Sequence, residues 1–199
     1  TYTIEEVKVP NYKTEISGNE EEGFTIICTS YELLKSEAIF DKQVSDIKDT
    51  IRWIYKNKEA YNFDVSNIGI IAPSSGAQLS MVAAYSENRL FQDDYELESF
   101  PSKISYVIDL FGPSELSKVN ISAAPKKISS KLSNYNMDEL SSLYSPINYI
   151  REDIPDTLII HSEIDTIVPY NTSLDMYYKA LRYDNNFKFL SLKSCTHYM

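Results

Sequence analysis

Positive charge is in short supply in this chain. Its 199 residues carry 19 lysines and arginines against 29 aspartates and glutamates, a formal charge of −10 at neutral pH. Nucleic acids and anionic membrane surfaces are polyanions, so neither is an expected partner. Long apolar runs are also missing. None approaches the roughly 18 residues needed to span a bilayer, and no signal-like apolar segment opens the chain. A soluble protein is expected, with a cytoplasmic location and secretion after signal removal both open. Cysteine is down to Cys28 and Cys195, and two buried free thiols are expected rather than a disulfide framework. His161 and His197 are the only two histidines. No Cys-x-x-Cys or His-x-x-x-His spacing occurs, so no metal and no other cofactor is expected. What is there, 43% hydrophobic and 24% charged residues, is ordinary for a globular chain with a sizeable core. Composition leaves the oligomeric state open.

The apolar residues fall into short runs at 24–28, 68–72, 104–111, 157–161 and 187–192. They are near-continuous rather than alternating, as strands covered on both faces are. Helical periodicity lies between them. Val44, Ile47, Ile51, Ile54 and Tyr55 mark one face of a helix ending before Asn62, and Leu174, Tyr177, Tyr178 and Leu181 mark another. Strands alternating with helices predict an α/β fold, a mainly parallel sheet with right-handed crossovers and helices on both faces. Residues 1–22 hold one strand-like alternation (Tyr2, Ile4, Val7, Val9) and an acidic run at 20–22. The stretches 87–102 and 117–142 are polar and weakly periodic, as solvated surface segments are. No repeat or linker divides the chain, so one domain is expected over 1–199.

Residues 68–79 read Ile-Gly-Ile-Ile-Ala-Pro-Ser-Ser-Gly-Ala-Gln-Leu, an apolar strand, a small-residue turn and the start of a helix. This is the layout of a nucleophile elbow built around Ser74, with Ala72 in place of the first glycine of G-x-S-x-G. The serine hydroxyl must stand clear while strand and helix pass closely, and Ala72, Gly76 and Ala77 permit that approach. A helix starting at the serine aims N–H groups and a positive dipole end at developing negative charge. A strand-to-helix turn without catalytic role gives the same letters, and Ser75 is the local competitor; its N–H is the one placed to face an oxyanion.

Two further loops supply partners. Residues 157–169 form a strand followed by a loop carrying Glu163 and Asp165, and the strand 187–192 runs into Lys193-Ser-Cys-Thr-His197. Serine, acid and histidine, each on the loop after its own strand, follow the chain order of α/β-hydrolases. The carboxyl ends of parallel strands can bring such loops together. His161, at a strand end, reads as a packing and hydrogen-bonding residue.

From Gly23 to its end the chain resembles the esterase and lipase branch of the α/β-hydrolases, in particular the group of acetylxylan and feruloyl esterases and kynurenine formamidase-like enzymes. The matching landmarks occur in order: the strand ending in Tyr31-Glu-Leu33, the helix around 46–55, the aspartate Asp64 before the elbow strand, Phe111-Gly-Pro113, Ser145-Pro-Ile-Asn-Tyr149, the Asp165-x-x-Val-Pro element and His197. The resemblance implies a Ser74–His197–Asp165 triad, with Asp165 favoured over Glu163 by the Val-Pro that follows, and an oxyanion donor at the Ser75 N–H. It implies a small-molecule ester substrate and a small cap-like insertion around 114–145. The chain departs from the family where a His-Gly-Gly loop normally donates the other oxyanion hydrogen bond. One donor fewer costs about 10²–10³ in rate, so slow turnover is expected. The alternative is a hydrolase-like binding or interaction domain without activity. Thr1 where an initiator Met is expected, and an end two residues after His197 where a closing helix is normal, suggest a fragment, a processed chain or an eroded relative. The presence of all early strands and of the C-terminal helix is correspondingly open.

Overall fold

The computed structural model describes residues 4–9, 12–19, 23–32, 39–133 and 135–197. Tyr2, the acidic run 20–22 and Leu33 lie outside the described residues. Strands β1 (Ile4–Val9), β2 (Tyr12–Asn19) and β3 (Phe24–Cys28) form an antiparallel sheet in that order. Strand β3 joins this sheet, which is separate from the parallel one, and Phe24 and Ile26 are 57% and 49% exposed. The expectation that 24–28 is a doubly covered strand is therefore corrected. So is the expected burial of Cys28, a free thiol that is exposed, while Cys195 is half-buried and also free.

Helix α1 (Phe40–Lys56) follows, then the short α2 (Lys58–Tyr61), closed by Asn62 in the left-handed region at φ 55°. Strand β4 (Gly69–Pro73) leads directly into α3 (Ser74–Tyr85), and β5 (Tyr106–Leu110) comes next. Three 3-10 turns, α4 (Lys126–Leu132) and α5 (Met137–Tyr144) occupy the excursion before β6 (Asp156–Ser162). Helix α6 (Tyr170–Leu181) and β7 (Phe187–Leu192) complete the order. The four later strands are parallel, arranged β4-β5-β6-β7, with Ala72, Asp109, Ile159 and Phe189 abreast.

The expected mainly parallel, helix-flanked sheet is present. The expected second helical layer is not found among the described residues. Tyr85 of α3 bonds Thr157 (2.8 Å) and packs on Phe187, while Tyr170 and Tyr177 of α6 pack edge-on against Phe189. Thr157, Phe187 and Phe189 share one sheet face. The opposite face carries Ile71 and Leu190, 66% and 49% exposed. The topology explains this. A chain that adds each parallel strand on the same side, with crossovers of one hand, places every crossover helix on one face. Helices on both faces require a reversal of direction across the sheet.

The core fills the space between that face and the helices: Val44, Ile47 and Ile51 of α1, Leu79 and Val82 of α3, Val107, Ile159 and Met176. Fully burying one such side chain contributes about 1.5–3 kcal/mol. Helix α1 also buries polar side chains, which its periodicity did not announce. Lys48 Nζ donates to the carbonyls of Glu87 (2.6 Å) and Leu90 (2.8 Å), and Arg52 to that of Asn88 (2.6 Å) and to Asp49 (2.7 Å). Burial, helped by the nearby Arg52 charge, pushes the Lys48 ammonium down to about 7. The polar stretch after Glu87 is thus clamped onto the fold rather than freely solvated.

Asp109, fully buried on β5, braces the turn that follows the strand. Its Oδ1 accepts the Gly112 N–H at 2.7 Å, and Oδ2 has no partner among the described residues. Gly112 is required there, since a Cβ would lie 2.7 Å from the Ala77 Cβ of α3. Burial pushes the Asp109 carboxyl up to about 7, with the Gly112 amide acting in the other direction. A folded-state value above the ordinary 3.8 means that the unfolded chain ionises first. The stabilising advantage of the protonated form is complete below about 3.8 and is lost as pH rises to about 7, at roughly 1.4 kcal/mol per unit. Asp109→Asn is therefore expected to exceed wild type in stability at pH 8, with the gap closing towards pH 4. Urea unfolding at both pH values measures this; a gap that does not change with pH would contradict it.

Candidate active site

Ser74 stands where β4 becomes α3, with φ 50°. A non-glycine residue in the left-handed region stores strain, and a tight strand-to-helix turn is where such strain exposes a side chain. Pro73, extended at φ −98° and ψ 152°, gives the helix no side-chain cap, so the first-turn N–H groups are left to whatever meets the site. Ser74 is half-buried and Ser75 exposed.

His197 reaches this turn from the loop after β7. Its Nε2 lies 2.9 Å from Ser74 Oγ. The loop is held to β6 by the Ser162 hydroxyl, which donates to the Cys195 carbonyl, and by the Glu163 N–H, which donates to Leu192 O at 2.9 Å. Phe111, itself at φ 49°, places its ring edge-on to the imidazole, with centroids 4.9 Å apart. Packing thereby limits how far the imidazole can turn.

Asp165 completes the line. Its Oδ2 accepts from His197 Nδ1–H at 2.7 Å, and its Oδ1 accepts the Ile167 and Val168 N–H groups at 2.8 and 2.9 Å. His161 is the hydrogen-bonding residue expected from the sequence, but its partner Asp165 was not foreseen. Its Nε2 lies 3.2 Å from Asp165 Oδ2 and 3.1 Å from the Val168 carbonyl, and its Nδ1 lies 2.8 Å from Ser173 Oγ. Two acceptors at Nε2 assign the proton there, so the Ser173 hydroxyl donates to Nδ1. The available signal was spacing, since His161 precedes Asp165 by four residues. Burial acts to raise the Asp165 carboxyl. The hydrogen bonds from His161, His197, Val168 and Ile167 outweigh it and hold the group ionised, well below the usual range. Glu163, the rival acid, is exposed and accepts from Ser191 Oγ at 2.6 Å instead.

The structure therefore brings Ser74, Asp165 and His197 into one hydrogen-bonded line, with Ser75 beside it. The 114–145 excursion touches the acid loop: the Asn120 N–H donates to Ile167 O at 2.8 Å and its side-chain amide to Thr166 O at 3.2 Å. A surface cleft of about 700 Å³, lined by Ile147, Asp175, Tyr178, Lys179, Leu181 and Arg182, includes none of these residues. Polar side chains converge at the elbow, so the elbow and not that cleft is the candidate for chemistry. Among the described residues no group of His, Cys, Asp and Glu side chains is placed to hold a metal ion. No described helix is long and apolar enough to cross a membrane.

Parallel strands, an elbow serine at the end of β4 and the later loops meeting it make this an α/β-hydrolase fold of the esterase type. The BD-FAE family model matches residues 5–180, and the chain belongs to that family. Esterase LipQ of Mycobacterium tuberculosis is 25% identical over 181 residues, covering 82% of this chain and 42% of that protein. The chain thus spans less than half the length of this curated relative. Among solved structures, a truncated carbohydrate esterase from gut microbiota is 29% identical, with a TM-score of 0.75 over 89% of this chain and 68% of that one. A bifunctional GH43-CE protein of Bacteroides eggerthii is 26% identical, also at 0.75, covering 89% of this chain and 25% of its own.

Proposed function

We propose that this chain is a carboxylic ester hydrolase acting by two-step acyl transfer. One observation carries the reading: Ser74 Oγ, His197 and Asp165 lie in line at 2.9 and 2.7 Å. His197 Nε2 takes the Ser74 proton as Oγ bonds to the ester carbonyl carbon, and the carbonyl π pair moves onto oxygen. The Ser75 N–H meets that charge. Asp165 holds the imidazole tautomer and stabilises its cation. The carbonyl then reforms, the alcohol departs with the proton from His197, and water repeats the sequence on the acyl-enzyme. The excursion at 114–145 is read as a small cap whose contact with residues 166 and 167 borders the site.

The relatives' names point to acyl groups on carbohydrates as the first natural substrate class to assay. A small activated ester tests the chemistry without that choice. With p-nitrophenyl acetate, the purified chain is expected to release a burst of about one p-nitrophenol per protein, followed by slower steady turnover. Release indistinguishable from buffer, with acetate and butyrate alike, would overturn the reading in favour of a binding domain.

A further inference from the structure

The sequence has five glycines, none adjacent to another, so it offers no Gly-Gly loop to donate the second oxyanion hydrogen bond. The structure places a different donor at the elbow. Tyr31 follows β3, and its hydroxyl lies 3.2 Å from Ser75 Oγ. Its ring lies over Gly76, where a Cβ would meet the Tyr31 Oη at 3.8 Å and Cε1 at 3.9 Å. The phenol therefore stands at the first turn of α3, beside the residue whose N–H is the oxyanion donor already named.

The segment carrying Tyr31 is held in place. Thr29 Oγ1 bonds Thr50 Oγ1 at 3.0 Å, and the Glu32 N–H donates to Asp46 Oδ2 at 3.0 Å. Both partners are on α1, which packs on α3, so the tyrosine is fixed relative to the elbow from either side. Tyr31 is half-buried and Ser75 exposed, which puts their contact at the open edge of the site rather than in the core. A 3.2 Å hydroxyl contact is long for an O–H···O bond and yields readily to a charged acceptor. A hydroxyl donates one proton and accepts at its lone pairs. If the Ser75 hydroxyl donates to Tyr31 Oη, the phenolic proton is left over for a third oxygen.

We propose that the Tyr31 hydroxyl donates a hydrogen bond to the substrate oxyanion formed at Ser74, alongside the Ser75 N–H. The proposal rests on the ester-hydrolase reading above. It makes Tyr31 a catalytic residue that adds a second donor and lifts turnover above what the Ser75 N–H alone allows.

The test compares Tyr31→Phe with wild type on p-nitrophenyl acetate and on its thionoester analogue, whose sulfur accepts hydrogen bonds poorly. Loss of one oxyanion donor predicts a fall of about 10²-fold or more in kcat on the oxygen ester, with KM within about twofold, and a much smaller fall on the thionoester. An equal fall on both esters marks a structural role and overturns the proposal, as does an oxygen-ester kcat within about threefold of wild type. Ser75→Ala provides a second variant should Tyr31→Phe unfold. It keeps the backbone N–H but frees the phenol, and is expected to lower oxygen-ester turnover severalfold while sparing the thionoester; an unchanged ratio of the two rates counts against the proposal. Wild-type kinetics separate the two levels. Wild-type release above buffer with no Tyr31 effect sinks only this inference, whereas release indistinguishable from buffer removes the hydrolase reading and this inference together.

Discussion

Ser74→Ala is expected to lower ester turnover by at least about 10⁴-fold, to a level near the uncatalysed rate. The hydroxyl is both the attacking atom and the group 2.9 Å from His197 Nε2, so no neighbouring side chain inherits its position. Ser75 is adjacent in sequence, but its hydroxyl meets Tyr31 at 3.2 Å. Substrate binding should persist, because the Ser75 N–H remains. Ser74→Gly carries a second expectation. At φ 50° a side chain is strained, so glycine should be inactive yet more stable than wild type, by about 1 kcal/mol. Steady-state hydrolysis and urea unfolding of the same three proteins measure both effects. A Ser74→Ala variant retaining a tenth of wild-type turnover would contradict the assignment.

Asp165→Asn is expected to be nearly as damaging, and for a specific reason. Asp165 Oδ1 accepts two backbone N–H groups from Ile167 and Val168, so the amide oxygen of an asparagine would be held there. The amide NH₂ would then face His197 Nδ1 and His161 Nε2, where an acceptor is required. His197 would turn to the tautomer with its proton on Nε2, pointing at Ser74 and unable to receive a proton. Replacing the triad acid by its amide in a serine protease costs about 10⁴ in kcat, and a loss of that order is expected here. Loss of the carboxylate also leaves the His161 N–H facing a donor, so a lower thermal midpoint should accompany the kinetic loss. Activity within about threefold of wild type would show that Asp165 is not the group orienting His197.

The candidate site was legible in the sequence because each of its members follows an apolar run. Ser74 ends one strand, and Asp165 and His197 sit on loops after two others, so a parallel sheet brings them together whatever the details of packing. The four parallel strands were legible for the same reason, their continuous apolar runs standing out against polar connections. Phe24 to Cys28 shares that character, yet among the described residues it pairs only with β2, outside the parallel sheet. Apolar continuity alone does not say which sheet a strand joins. The roles missed are those that depend on register or on contact between distant segments. His161, on β6, reaches Asp165 across the loop that follows the strand, and Phe111, in a left-handed turn, meets the His197 ring. Lys48 and Arg52 lie outside the apolar set that marks α1, and their burial under the segment after Glu87 could not be seen in a helical wheel. Cysteine burial was misjudged at Cys28 by the same step that misplaced its strand.

The central claim is that Ser74 is an activated nucleophile. The most direct measurement is stoichiometric labelling with a fluorophosphonate, followed by mass spectrometry of the peptide containing residues 74 and 75. The account predicts one adduct per chain, located on Ser74, lost in Ser74→Ala and slowed strongly in Asp165→Asn. Labelling on Ser75, or none on the folded wild-type chain, would contradict it.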